Sequence, residues 1–174
     1  MQSKEVEISP AQSRNLAVAA VLIAVATALS PLSFPVGPTK VFPIQHMTNA
    51  IAGVLLGPLY AVFIAIVVGV LRNALGTGTF FAFPGGIPGA LVVGLLFRYA
   101  VKKDFIALTE PVGTGIGGVV SWMIVQAGFI RSSLSLLGFV SAFLASSIPG
   151  SILGFAVLVV IRKSGVILVP AKRR

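Results

Sequence analysis

The sequence predicts an all-α membrane protein, a bundle of six transmembrane helices with both termini cytoplasmic. Three observations carry that expectation. Apolar residues make up 56% of the 174-residue chain, charged residues only 10%, and the mean hydropathy is +1.03. A soluble domain carries about 25% charged residues, so this chain lacks the polar side chains to cover its own surface. The apolar residues also fall into six runs separated by proline- and glycine-rich or charged segments. At about 20 residues per span, six helices use roughly 120 residues and leave about 50 for tails and connections. Lastly, the basic residues sort to alternate ends of these runs.

The first span, 16–32, is alanine-rich and follows Arg14-Asn15. Ser33 to Ile44 holds three prolines and a glycine and is not expected to be a regular helix. Spans 45–56 and 59–75 are parted only by Gly57-Pro58, a tight-turn dipeptide. Gly76 to Gly86 reads as a second irregular loop, and span 87–101 ends at Arg98 and Lys102-Lys103. Pro111 opens a glycine-rich span, 111–130, and the last span, 136–161, runs into a basic tail. With no internal repeat and no low-complexity linker, residues 1–174 read as a single integral-membrane substrate-binding domain. A cleavable signal peptide is not expected, because Met1 to Ser13 is polar and the run after it is long enough to span.

Lysine and arginine concentrate on the cytoplasmic side of membrane proteins. With the N-terminus inside, Lys4, Arg14, Arg98, Lys102, Lys103, Arg162, Lys163, Lys172, Arg173 and Arg174 lie inside, and Lys40, Arg72 and Arg131 outside. The net charge of +9 therefore serves topology and lipid, and no nucleic-acid partner is expected. Both irregular loops then fall at the outer face. Non-helical backbone at membrane depth is tolerated where it lines a cavity, so the outer half is where a site is expected.

Several chemistries are missing. The chain has no cysteine, which removes disulfides, iron–sulfur clusters and thiolate zinc. Glu5, Glu7, Asp104 and Glu110 are all assigned to the inner tail or inner loop, leaving no carboxylate inside a span and none to orient the single histidine. Ion-coupled carriers usually hold such a group near the midplane. No Walker-type phosphate loop is present, no metal site or cofactor is expected, and no serine stands out as a nucleophile. The chain reads as a binding protein that leaves the energetics to partners, not as an enzyme.

The polar residues that remain are the candidate site. Gln45, His46 and Asn49 lie within five residues on neighbouring faces of one helix; they can read a small heterocycle, or cap and glue helices. Arg72-Asn73 precedes Gly76-Thr77-Gly78-Thr79. Arg72 either snorkels to the interface or faces the bundle, where the glycine loop lets backbone amides, with Thr77 and Thr79, approach a ligand. Trp122 and Gln126 are one turn apart; the tryptophan is a stacking platform, packing or an interface anchor. Phe80, Phe81 and Phe83 either form a lid or pack on the bundle end, and Ser146, Ser147 and Pro149 adjust the sixth helix. Ala20, Ala24 and Ala28 recur at every fourth residue, a smooth ridge for another helix of the bundle or of a partner.

The stretches FPVGPTKVFPIQHMTNAIAGVLLGP and LRNALGTGTFFAFPGGIPGAL resemble the ThiW family, most densely from Phe34 to Leu96. The resemblance implies a thiazole-specific substrate-capture (S) component of an energy-coupling factor (ECF) transporter. It implies six helices in a prokaryotic cell membrane, and capture of the thiamine precursor hydroxyethylthiazole under the outer loops. It also implies partners, a transmembrane coupling subunit and two ATPase subunits, docked on an Ala-x-x-x-Ala motif that falls here on Ala20 and Ala24, extended by Ala28. Arg72 would donate to the ligand hydroxyl, recognise a phosphorylated form or brace the loop. The alternatives are an S component for the pyrimidine moiety or thiamine, the latter disfavoured by the lack of an acidic group in the site, or a membrane-embedded enzyme.

Overall fold

The computed structural model describes residues 9–36 and 39–165; Lys4, Glu5, Glu7, Lys172, Arg173 and Arg174 lie outside the described residues. Among these the chain forms helices α1 (Pro10–Ala28), α2 (Pro43–Leu56), α3 (Pro58–Ala74), α4 (Ala82–Tyr99), α5 (Glu110–Gln126) and α6 (Leu136–Lys163). Two 3-10 segments, Ser30–Leu32 and Asp104–Thr109, and a small antiparallel hairpin, β1 (Phe34–Val36) with β2 (Thr39–Val41), complete it. In the hairpin Phe34 pairs with Val41 and Val36 with Thr39.

The helix limits follow from local chemistry. α1 starts six residues before the expected span because Ser9 and Gln12 form a reciprocal capping box with Pro10 in the first turn. It stops at Ala28, and Pro31 sits in the 3-10 turn that follows. α2 and α3 meet at Gly57, whose φ of 83° allows the sharp reversal. α4 begins at Ala82, well inside the loop expected to reach Gly86. Pro84 falls in its first turn, where a missing N–H costs nothing.

The surface is apolar. Leu16, Val21, Leu59, Phe63, Leu137 and Val160 are among many large hydrophobics exposed on the helices, as lipid requires and water forbids. Four stretches, Pro10–Ala28, Ala82–Tyr99, Asp104–Gln126 and Leu136–Lys163, are long and apolar enough to cross a membrane. α3, at 17 residues, is shorter, and α2 has 14. This is an all-α membrane protein. α2 is its axis: ten of its fourteen residues are buried, and it packs against α1, α3, α4 and α6.

The fifth span differs most from expectation. Instead of a loop ending at Glu110, the 3-10 segment Asp104–Thr109 climbs back into the bundle, burying Ile106 and Ala107 in the core. Six residues at about 2 Å each lift Glu110 roughly 12 Å above Asp104, which stays at the charged end in a bidentate pair with Arg162 (both contacts 3.1 Å). Glu110 is 0% exposed. The expectation that no carboxylate lies inside the bundle is therefore wrong.

α4 and α5 touch through glycines. A Cβ at Gly117 would overlap the Pro84 carbonyl oxygen, whereas one at Gly115 would meet only Leu144 Cδ2 at 3.8 Å. Gly117→Ala should force the helices apart and destabilise the protein by about 1–3 kcal/mol, the usual cost of overpacking. A thermal-unfolding comparison in detergent should show a lowered midpoint for Gly117→Ala and none for Gly115→Ala. Equal midpoints would mean that the helices meet less closely than this.

Candidate functional site

A small pocket lies where β2, the start of α2, the α3–α4 loop, the start of α4 and the middle of α6 converge. Its wall is aromatic (Phe42, Phe81, Phe143) with polar groups from Thr39, Lys40, Gln45, His46, Arg72, Thr79 and Ser146. Phe42 N–H donates to Ser146 Oγ at 2.6 Å. That bond pins the hairpin's end against α6, roughly 15 Å along α6 from its first residue, so the pocket is sunk below the end of the longest helix.

One polar system braces the mouth. Arg72 is 2% exposed. Its Nη1 donates to Gln45 Oε1, its Nη2 donates to Thr77 O at 3.2 Å, and its guanidinium lies 4.1 Å from the centre of the Phe42 ring. The Arg72 carbonyl accepts the amides of Thr77 and Gly78, both at 2.9 Å. Gln45 Nε2 donates to Ala82 O at 3.0 Å, and Asn73 Nδ2 to Gly69 O and Thr79 O at 2.8 and 3.1 Å. Thr77 Oγ1 donates to Ser30 Oγ at 2.9 Å, Ser33 Oγ to Thr77 O at 3.2 Å, and Lys40 Nζ to Gly76 O at 2.8 Å. The segment from Ser30 through the hairpin and the α3–α4 loop are thus tied to each other and to α2.

A second system lies deeper. His46 Nδ1 sits 2.8 Å from Glu110 Oε1, the same oxygen that accepts from Asn49 Nδ2 (3.2 Å) and Thr114 Oγ1 (2.9 Å). Asn49 Nδ2 also donates to Gly86 O at 3.0 Å. Asn49 and Thr114 are both buried. The histidine has a carboxylate to orient it after all, contrary to the sequence reading.

Of the residues singled out from sequence, Gln45, His46, Arg72 and Thr79 line the pocket. Asn49, Asn73 and Thr77 stand behind it as braces. Trp122 is half-buried beside Phe81, Val125, Phe139 and Phe143, a layer behind the wall, and Gln126 is exposed. Phe81 is buried against Phe139, Phe83 packs at Gly69, and Phe80 is exposed. Ala20, Ala24 and Ala28 are all exposed, on the side of α1 away from buried Ala19, Leu22 and Ala26. Sequence reasoning missed Phe42, Phe143 and Ser146 as lining residues, and Glu110. Only Glu110 left a signal, an acidic residue directly before Pro111 at the head of a glycine-rich helix.

The arrangement suits a small ring held between aromatic walls, with a few polar atoms to orient it. A family model described as thiamine-precursor transporter protein (ThiW) matches residues 16–164. The chain belongs to the ThiW family. No curated protein and no solved structure matches it significantly. As a ThiW protein it is a thiamine-precursor transporter, and the pocket is the natural candidate for where the precursor sits. Among the described residues no cluster of side chains able to hold a metal ion occurs.

Proposed function

We propose that this ThiW protein is the substrate-capture component of an ECF-type transporter, taking hydroxyethylthiazole into the pocket around Gln45, His46, Arg72 and Thr79. One observation carries the reading: an aromatic-walled pocket under two outer loops that are tied to one another, in a chain of a thiamine-precursor transporter family. Phe81 and Phe143 would hold the thiazole ring, and the polar groups would meet its hydroxyl. Arg14, Arg98, Lys102, Lys103, Arg162 and Lys163 gather where α1 begins and where α4 and α6 end, opposite the pocket. That distribution supports six crossings with both ends cytoplasmic, in a prokaryotic cell membrane. The exposed alanine face of α1 would receive the transmembrane coupling subunit, and two ATPase subunits would supply the energy.

An enzymatic role fits less well. His46 hydrogen-bonds Glu110 and Thr114, and no serine hydroxyl is within its reach among the described residues. Thiamine is disfavoured for a different reason than an absence of acid: Glu110 does not line the pocket, while Lys40 and Arg72 do, and they repel a cation. In proteoliposomes, the chain with its coupling subunit and ATPases should accumulate labelled hydroxyethylthiazole only with ATP. The chain alone should bind without accumulating. Accumulation by the chain alone would overturn the capture role.

A further inference from the structure

We propose that Glu110 is a positioning residue that locks His46 as its Nδ1–H tautomer. Nε2 is then presented to the pocket as a hydrogen-bond acceptor, which selects ligands carrying a donor. The choice of ligand rests on the thiazole reading above; the tautomer does not.

The donors fix the assignment. Asn49 Nδ2 reaches two acceptors, Gly86 O and Glu110 Oε1 (3.0 and 3.2 Å), which sets the orientation of its amide. As a carboxylate, Glu110 can only accept, and His46 Nδ1, 2.8 Å from Oε1, is then the donor. In a neutral imidazole that leaves Nε2 unprotonated. His46 lines the pocket, and its Nε2 has no hydrogen-bond partner among the described residues. Gln45 already donates its Nε2 to Ala82 O and accepts from Arg72 at Oε1, which leaves His46 Nε2 as the ring nitrogen free to accept from a ligand. Hydroxyethylthiazole has one proton to give, on its hydroxyl. A ligand without it would leave Nε2 desolvated and unpaired.

His46 is the chain's single histidine, so ¹⁵N-histidine labelling of the full chain in detergent reports it without ambiguity. Nδ1 should resonate as protonated and Nε2 as unprotonated. Glu110→Gln, which keeps an acceptor oxygen, should preserve this, and Glu110→Leu should shift the ring toward Nε2–H. Hydroxyethylthiazole should move the Nε2 signal, and its O-methyl ether should bind about tenfold or more weakly. An Nε2–H or doubly protonated ring in the unsubstituted protein overturns the proposal whether or not Glu110→Leu folds. Equal affinity for alcohol and ether overturns the selection while leaving thiazole capture intact. If neither binds but the tautomer is as stated, the positioning role stands and the thiazole reading falls.

Discussion

Arg72→Leu is expected to lower the affinity for hydroxyethylthiazole roughly ten- to a hundredfold, the largest effect of any single pocket substitution. The guanidinium is buried against Phe42, and it donates to Gln45 Oε1 and Thr77 O. Hydrogen bonds from a charged group are worth about 1.5–3 kcal/mol, and each 1.4 kcal/mol is about tenfold in affinity. Removing the fork leaves Gln45 Oε1 without its donor and Thr77 O with Ser33 Oγ alone, and it loosens the loop that holds Thr79. Arg72→Lys should recover little, because an ammonium cannot bridge two acceptors in the plane of a guanidinium. Titration of both variants checks this; wild-type affinity in Arg72→Lys would show that charge alone suffices and that the brace is dispensable.

Ala24→Leu is expected to separate capture from transport. Ala20, Ala24 and Ala28 share the exposed side of α1, while Ala19, Leu22 and Ala26 face the bundle. A leucine added there meets no residue of this chain, so ligand affinity should stay within about twofold, well under the tenfold that 1.4 kcal/mol represents. It fills the smooth ridge on which a partner helix would pack, and ATP-driven uptake in proteoliposomes should fall at least about tenfold, an expectation drawn from lost close packing. Weakened binding would place the ridge in the bundle's own packing. Unchanged uptake would remove it from the partner interface.

The helices were legible because each is an apolar run set off by contrast: Gly57-Pro58 between α2 and α3, and Lys102-Lys103 after α4. Gln45 and His46 stood out for the same reason, as polar groups where lipid-compatible residues prevail. Contrast is also what misled. Gln126 is polar and conspicuous, yet exposed beyond the bundle's wall. Phe42 and Phe143 are apolar among apolar neighbours, and only the dip of the β2–α2 junction toward α6 makes them walls of a pocket. Glu110 was hidden by its proximity in sequence to Asp104. A loop reading keeps the two carboxylates together; a 3-10 climb parts them and carries one to the histidine.

The most direct measurement is isothermal titration of the detergent-purified protein with hydroxyethylthiazole, its phosphate, the pyrimidine precursor and thiamine. Saturable one-to-one binding of hydroxyethylthiazole is predicted, with the phosphate at least as tight, since Lys40 and Arg72 line the pocket and Arg72 Nε has no partner among the described residues. Pyrimidine and thiamine should not bind. Binding of either in preference to the thiazole, or of none by folded protein, would contradict thiazole capture in this pocket.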